Sequence, residues 1–337
     1  MLHIIFFGSS DYCLLVLESL HKNFKLTAII TRSPSSPALS AGITTFSVAP
    51  EKFGLMHKIP VLTPQSAGEI STLIPDLKKF SPDLSVVADY GVMIPDDVIS
   101  LPKLDTLNIH FSRLPKYRGP SPVQYTILHG EKSAWISIIK LVKKLDAGDI
   151  IYQKEVSLSG DETTGSLYKK LFNIISEDLP SVLSDFALGK IKPVKQDEKL
   201  ATYTRKITKE DGFVPFDLLS NLMKGIKPNK AMLDNWPLTK IPPSPFSLLL
   251  ATYYLLQSLR AFSPWPGLWT EVFIPAFKQL KRLKILKAHL EPFDSAQSKP
   301  TTHNPQPTTK LVLDQVQLEG KNPVSWTQFL EGYSVDY

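Results

Sequence analysis

Three residues have the types and placement to move an acyl group: Asn108, His110 and Asp146. Asn108 and His110 occupy alternate positions of the run Thr106–His110 (TLNIH), so a strand there sends both side chains from one face. Asp146 lies further on, in Leu145-Asp146-Ala147-Gly148-Asp149-Ile150. Transfer of an acyl group to an amine needs three things. The incoming nitrogen must lose a proton, the carbonyl oxygen gathers negative charge, and the leaving nitrogen must be protonated. An Asn amide and an imidazolium can both donate to that oxygen. A carboxylate can hold the imidazole charged and relay protons through water. Each contribution is on the order of 10²–10⁴-fold. The structural alternative is that N-x-H is a plain strand segment and Asp before Ala-Gly a common turn residue.

The elements around the trio read as an α/β fold. Leu2–Phe7 is a buried strand, Gly8–Asp11 a turn, Tyr12–His21 a helix and Leu26–Thr31 a second strand. That order indicates a parallel sheet with crossover helices. Further strands are expected at Leu84–Ala88 and Thr106–His110, with a short extended piece at Ile59–Leu62. Helices are expected over Ala67–Phe80, broken or kinked by Pro75, over Ser121–His129, and over Thr163–Leu188. Trp135–Val142 and Asp149–Val156 read as two strands joined through Lys143–Gly148. In an open α/β sheet the reactive crevice lies beyond the carboxyl ends of the strands, which is where Asn108 and His110 fall. Periodicity fades around Lys190–Arg205. The expected division is therefore a catalytic domain over 1–192, a linker over 193–205 and a second domain over 206–337. In the latter, a helix is expected at Leu248–Ala261, short strands at Leu283–Ala288 and Lys310–Val316, and flexible loops at Ser33–Pro50 and Ser295–Thr309.

Composition narrows the chemistry. The 337 residues carry 38 Lys plus Arg against 32 Asp plus Glu, a net +6 that permits a polyanionic partner without demanding one. A single cysteine, Cys13, excludes an internal disulfide and a thiolate metal cage; its setting beside Leu14 and Leu15 reads as core packing. No H-x-x-x-H or C-x-x-C spacing suggests a metal, G-x-G-x-x-G is absent, and there is no G-x-S-x-G. No run is apolar enough for a membrane helix, and the chain opens on Leu2–Phe7 rather than on a secretory or Arg-rich transit segment.

The wider pattern around the trio is similar to that of the methionyl-tRNA formyltransferase family. Asn108-Ile109-His110-x-Ser112-x-Leu114-Pro115-x-Tyr117-Arg118-Gly119 and Leu145-Asp146-x-Gly148-Asp149 carry the resemblance in the first half. Val86-Val87-Ala88-x-Tyr90-Gly91-x-x-Ile94-Pro95, Thr204–Gly212 and Arg260-Ala261-Phe262-x-Pro264-Trp265-Pro266-Gly267 extend it. The tail, Gln317–Trp326, looks most like mitochondrial members. The resemblance implies an N-terminal Rossmann-like formyltransferase domain, mostly parallel in its sheet, and a smaller C-terminal OB-like β-barrel. It implies catalytic roles for Asn108, His110 and Asp146, with 10-formyltetrahydrofolate as formyl donor and no metal. Ser112, Arg113, Leu114 and Pro115 would border the folate, and backbone near Met93 and Ile94 would grip its pterin ring. The acceptor would be initiator methionyl-tRNA, in the mitochondrial matrix, with the protein a monomer that needs no membrane. Two other readings keep the scaffold: a 10-formyltetrahydrofolate hydrolase, and an inactive RNA-binding protein.

Departures from the family pattern bear on both substrates. Arg113 stands where Leu is usual, Phe111 where Gly is usual, and Asp89 where a small apolar residue is usual. The first long loop, Ser33–Glu51, contains no Lys or Arg, although such residues dominate phosphate contacts. Lys278–Lys287 (KQLKRLKILK) is the alternative basic segment. Lys281, Arg282 and Lys284 are its candidate tRNA contacts, and Lys206, Lys209, Lys116 and Arg118 are further ones. As a strand, this run must send Lys281 and Arg282 to opposite faces, and a solvated edge strand protected by charge would look the same.

Overall fold

The computed structural model describes residues 1–32, 49–240, 251–292, 309–333 and 335. The chain divides into two units. The first comprises residues 1–126, 131–160 and 166–206; the second comprises 127–130, 161–165 and 207–337.

Unit 1 is built on a seven-stranded sheet. Its strands are β1 (His3–Phe7), β2 (Lys25–Ile30), β3 (Val61–Leu62), β4 (Leu84–Ala88), β5 (Asp105–His110), β6 (Ser133–Lys140) and β7 (Ile150–Ser157), in the order β3-β2-β1-β4-β5-β6-β7. The first five run parallel, and β6 and β7 are antiparallel. The helices of the first half are α1 (Cys13–Asn23), α2 (Ala49–Met56), α3 (Ala67–Thr72), α4 (Ile74–Lys79), α5 (Asp96–Ile99), α6 (Pro122–Leu128) and α7 (Thr164–Ala187). Both faces of the central strands are covered, which is why LHIIFF and LSVVA read as continuous apolar runs. Ile5, Phe7, Ala28, Ile30 and Val87 share one core with Ile70, Leu77 and Val98, while the alternate residues Ile4, Phe6, Ile29 and Val86 are buried as well. Pro75 divides the expected helix into α3 and α4.

Two local features depart from the sequence expectation. Residues 164–187 form one helix that passes through Pro180. Proline cannot donate to the carbonyl four residues back. That carbonyl, on Ser176, accepts the Ser19 hydroxyl instead. Residues 193–205, expected as a linker, are bonded into unit 1. Val194 bridges Ile150 in both directions, and Arg118 and Tyr203 form a parallel bridge.

Unit 2 was expected as an OB-like barrel with short strands. It carries an antiparallel sheet of β8 (Leu268–Ile274), β9 (Gln279–Pro292), β10 (Thr309–Leu318) and β11 (Val324–Ser325), in the order β11-β10-β9-β8. β9 and β10 are far longer than the sequence suggested, pairing from Thr309–Pro292 to Leu318–Leu283 with an irregularity around Gln315. The remaining helices are α8 (Phe216–Met223), α9 (Lys230–Asp234), α10 (Ala251–Ala261) and α11 (Trp326–Gly332), the last closed by a Ser325–Gln328 capping box. The start of the expected 248–261 helix and nearly all of both expected flexible loops lie outside the described residues.

Gly148 shows how tightly the return into β7 is built. A Cβ placed there would lie 1.8 Å from the Lys140 carbonyl oxygen, which is backbone and cannot swing aside. Gly148→Ala should therefore cost about 1–3 kcal/mol, the usual range for overpacking. Gly332→Ala, with open space around it, should leave the unfolding midpoint nearly unchanged. Urea denaturation of the two variants side by side checks this, and equal midpoints would contradict the packing described.

Candidate active site

The sheet order places a topological switch point between β1 and β4, and ligands in such sheets bind beyond the strand ends there. A cavity of about 550 Å³ opens at that end of unit 1, within the usual range for small-molecule sites. Asn108, His110 and Asp146 all line it, with Val92, Met93, Ile94, Leu141 and Val142 forming much of its apolar wall.

The trio converges on the Asp146 carboxylate. Asn108 Nδ2 donates to Oδ1 at 3.3 Å. The Gly119 backbone N–H donates to Oδ2 at 2.7 Å. His110 Nδ1 faces the same Oδ2 at 3.6 Å, an ion-pair distance rather than a hydrogen bond. On the far side of the ring, His110 Nε2 is 2.9 Å from the Tyr117 carbonyl. A carbonyl only accepts, so Nε2 carries a hydrogen and the ring orientation is set. Both ring nitrogens then face acceptors. The Nδ1 edge is thus left facing the carboxylate and the cavity, where it can offer a hydrogen bond to a developing oxyanion. Because Asp146 only accepts, Asn108 turns its amide nitrogen toward it and keeps a second N–H for a ligand. Both His110 and Asp146 are less than one-tenth exposed, so these contacts act with little screening by water.

Asp146 is held from behind. Its backbone is in the left-handed region at φ 46, which Asp tolerates better than most residues. Gln196 Nε2 donates to the carbonyls of Asp146 and Gly148 at 2.8 and 2.7 Å. Gln196 Oε1 in turn accepts from Arg118 Nε and Nη2. The Arg118 guanidinium, fully buried, also forks onto both carboxylate oxygens of Glu198. Arg118, a candidate tRNA contact by its charge, is thus buried as a tether between the 193–205 segment and the Asp146 turn. Gly119 completes the link: at φ 112 its N–H meets Asp146, and a Cβ there would lie 2.6 Å from the Thr204 carbonyl.

Of the residues expected at the folate border, two line the cavity. Met93 and Ile94 line the cavity, Met93 being largely exposed. Ser112, Arg113, Leu114 and Pro115 do not. The family resemblance implied them, and here the chain beyond the strand end is fastened to its neighbours. The Ser112 hydroxyl donates to the Lys116 carbonyl, and the Ser112 carbonyl accepts Ser137 Oγ. Arg113 lies over the Trp135 ring, 4.6 Å from its centroid. Leu114 is buried and its carbonyl accepts from Gln153, while that of Pro115 accepts from Thr202. Gly119 and Pro120 return to the cavity instead. Gln196, Gly119 and the Tyr117 carbonyl were missed as supports. Gly119 was visible in the Tyr117-Arg118-Gly119 motif; Gln196 had no signal beyond lying after the last helix of unit 1.

Residues 3–183 match the formyl transferase family model, and residues 251–334 match that of the formyl transferase C-terminal domain. The chain belongs to the formyltransferase family. A methionyl-tRNA formyltransferase of Listeria monocytogenes serotype 4a is 32% identical over 259 residues, 75% of this chain and 80% of that protein. Among solved structures, the fold is shared with methionyl-tRNA formyltransferase from Clostridium thermocellum, at TM-score 0.52 and 16% identity over 94% of this chain and 99% of that one. It is shared also with WlaRD, a sugar 3N-formyl transferase solved in the presence of dTDP and 5-N-formyl-THF, at TM-score 0.55 and 17% identity over 96% and 99%. Members of this formyltransferase family use 10-formyltetrahydrofolate, and the cavity suits such a donor: an apolar slot for a flat ring system, with the trio at one side.

Two predictions follow from the tether. Gln196→Glu keeps an acceptor for Arg118 but removes both amide donors to the Asp146–Gly148 turn. Formyl-transfer kcat should fall by roughly ten-fold or more through misplacement of Asp146, with substrate KM values moving less. Gln196→Ala should in addition cost about 2–3 kcal/mol, because the buried guanidinium loses an acceptor. The second concerns pH. Hydrogen bonds from Arg118 and Lys144 hold the Glu198 carboxyl down at about 2, from an ordinary value of 4.5. A depressed carboxyl contributes stability that is complete above 4.5 and is lost as pH falls toward 2. Glu198→Gln should flatten that part of the stability curve, read as thermal midpoint against pH.

Proposed function

We propose that this chain transfers the formyl group of 10-formyltetrahydrofolate to the α-amine of methionine carried by initiator tRNA. The observation that carries this reading is the convergence of Asn108, His110 and Gly119 on the Asp146 carboxylate at the wall of a cavity. The likeness to methionyl-tRNA formyltransferases supports the acceptor.

The bound donor supplies an acyl carbon whose leaving group is a weakly basic nitrogen. The second Asn108 N–H and the Nδ1 edge of His110 are the donors placed to stabilise negative charge on its oxygen. Asp146 keeps His110 oriented and its positive charge offset, and water between them can carry the proton the leaving nitrogen needs. Met93 and Ile94, with Leu141 and Val142, would hold the pterin end, and the Gly119-Pro120 turn would take the place expected of Ser112–Pro115.

For the tRNA, the candidates are Lys206, at the end of unit 1, and Lys209, Lys281, Arg282 and Lys284, in unit 2. β9 pairs with β8 so that Lys284 meets Trp269 and Arg282 meets Glu271, and the Arg282 guanidinium lies over the Trp269 ring at 4.2 Å. Lys284, Phe273 and Leu280 are exposed on the same face, a surface that can offer charge to phosphate and flat area to an unpaired base. Lys281 has the opposite parity, beside buried Leu283. We also place the protein in the mitochondrial matrix, acting in translation initiation as a monomer; the tail resemblance at Gln317–Trp326 supports this, whereas the Listeria relative is bacterial.

Asn108→Ala, His110→Ala and Asp146→Ala should each lower kcat for formylation of charged initiator tRNA by about 10²–10⁴-fold. A single-turnover assay with labelled formylfolate reads this. Undiminished transfer by His110→Ala, or formate release indifferent to charged tRNA, would overturn the reading; the latter outcome is that of a hydrolase.

A further inference from the structure

The carbonyl that fixes the His110 ring is offered from an unfavourable backbone. Tyr117 lies in the left-handed region at φ 60, where a bulky side chain is an outlier. Such a conformation persists only where the surroundings over-determine it. If the residue relaxed to negative φ, its carbonyl would swing away from His110 Nε2, which lies 2.9 Å from it.

Several ties hold Tyr117 in place, and all lie within unit 1. Its backbone N–H donates to Thr202 Oγ1 at 2.9 Å. Its buried ring meets that of Tyr125 edge-on, with centroids 6.0 Å apart. Its phenol hydroxyl donates to Glu131 Oε1 at 2.8 Å. This last tie is anchored by charge. Lys116 Nζ donates to the same Oε1 and stands 4.7 Å from the Tyr117 ring centroid. Burial, and then the bond to Glu131, push the phenol above its ordinary pKa, so it stays a donor. Glu131 is itself held just ahead of β6, where its backbone N–H donates to the Thr126 carbonyl at 3.1 Å. Its side chain is half-buried, so water and salt screen these bonds less than at an open surface. The mechanism above does not use Glu131, and neither it nor Tyr117 lines the cavity.

We propose that Glu131 is a positioning residue for the transfer: by gripping the Tyr117 phenol it keeps the Tyr117 carbonyl on His110 Nε2. This rests on the role given to His110. With Nε2–H engaged, the ring presents its Nδ1 edge to Asp146 and the cavity, where the oxyanion develops. With that bond loosened, the ring is free to turn about its own axis and the Nδ1 edge loses its aim. A misplacement of this kind slows the reaction without weakening the grip on the donor.

Three variants test this. Tyr117→Phe removes the phenol and keeps the carbonyl, Glu131→Ala removes the acceptor, and Glu131→Gln leaves an amide oxygen in its place. The first readout needs no turnover. It is exchange of the His110 Nε2 proton with water, followed by heteronuclear NMR on histidine-labelled protein and assigned by its absence in His110→Ala. Exchange should quicken roughly ten-fold in Tyr117→Phe and in Glu131→Ala, the worth of a hydrogen bond to a charged acceptor. The kcat for formyl transfer should fall by a similar factor while KM for formylfolate stays within about two-fold, and Glu131→Gln should restore most of both losses. Combining Tyr117→Phe with Glu131→Ala should be no worse than the poorer single variant, because Glu131 acts through the phenol. A proton that exchanges no faster, or faster exchange with kcat unchanged, would overturn the assignment; so would losses that multiply in the double variant. Should the wild-type protein formylate no tRNA, the function reading fails, and the exchange rates still decide Glu131 by themselves.

Discussion

The site depends on one carboxylate that must satisfy several donors at once. Asp146 accepts from an amide on β5 and from the backbone of Gly119, and faces an imidazole on that same strand. Each partner could find water if the turn moved, so the geometry exists only because the turn cannot move. Gln196 grips its two carbonyls, and Arg118 grips Gln196. A buried guanidinium is expensive to desolvate, and here Glu198, Gln196 and Tyr203 offset that cost. The same ties draw residues 193–205 onto unit 1.

This arrangement separates two roles that sequence spacing merges. The residues nearest His110 along the chain, Ser112–Pro115, are anchoring residues: they hold the loop to β6 and β7 through Ser137, Trp135 and Gln153. The residues that meet the cavity return only at Gly119 and Pro120, after that anchor. A cavity at a switch point needs rigid walls more than it needs nearby polar residues, and the loop supplies rigidity first.

Much of unit 1 was legible because its signals are local. Apolar runs bounded by turn residues marked β1, β2, β4 and β5, and alternation placed Asn108 and His110 on one face. Asp146 was legible only through the motif in which it sits, since nothing local tells a turn Asp that lines the cavity from any other. What escaped was long-range. Helices were expected over Thr163–Leu188, and at Pro180 a hydroxyl from α1 satisfies the carbonyl the proline orphans, so one helix runs through. Arg118 looked like a surface cation because charge alone does not reveal burial. The segment around Gln196 looked like a linker because its bonds are made to residues some eighty positions earlier.

The account stands or falls on whether Asn108, His110 and Asp146 work as one unit around a shared carboxylate. A double-mutant cycle on single-turnover formyl transfer measures this directly, comparing His110→Ala, Asp146→Ala and the pair. The account predicts that the double variant is about as slow as the slower single variant. Losses that multiply, so that each residue costs the same with or without the other, would contradict it.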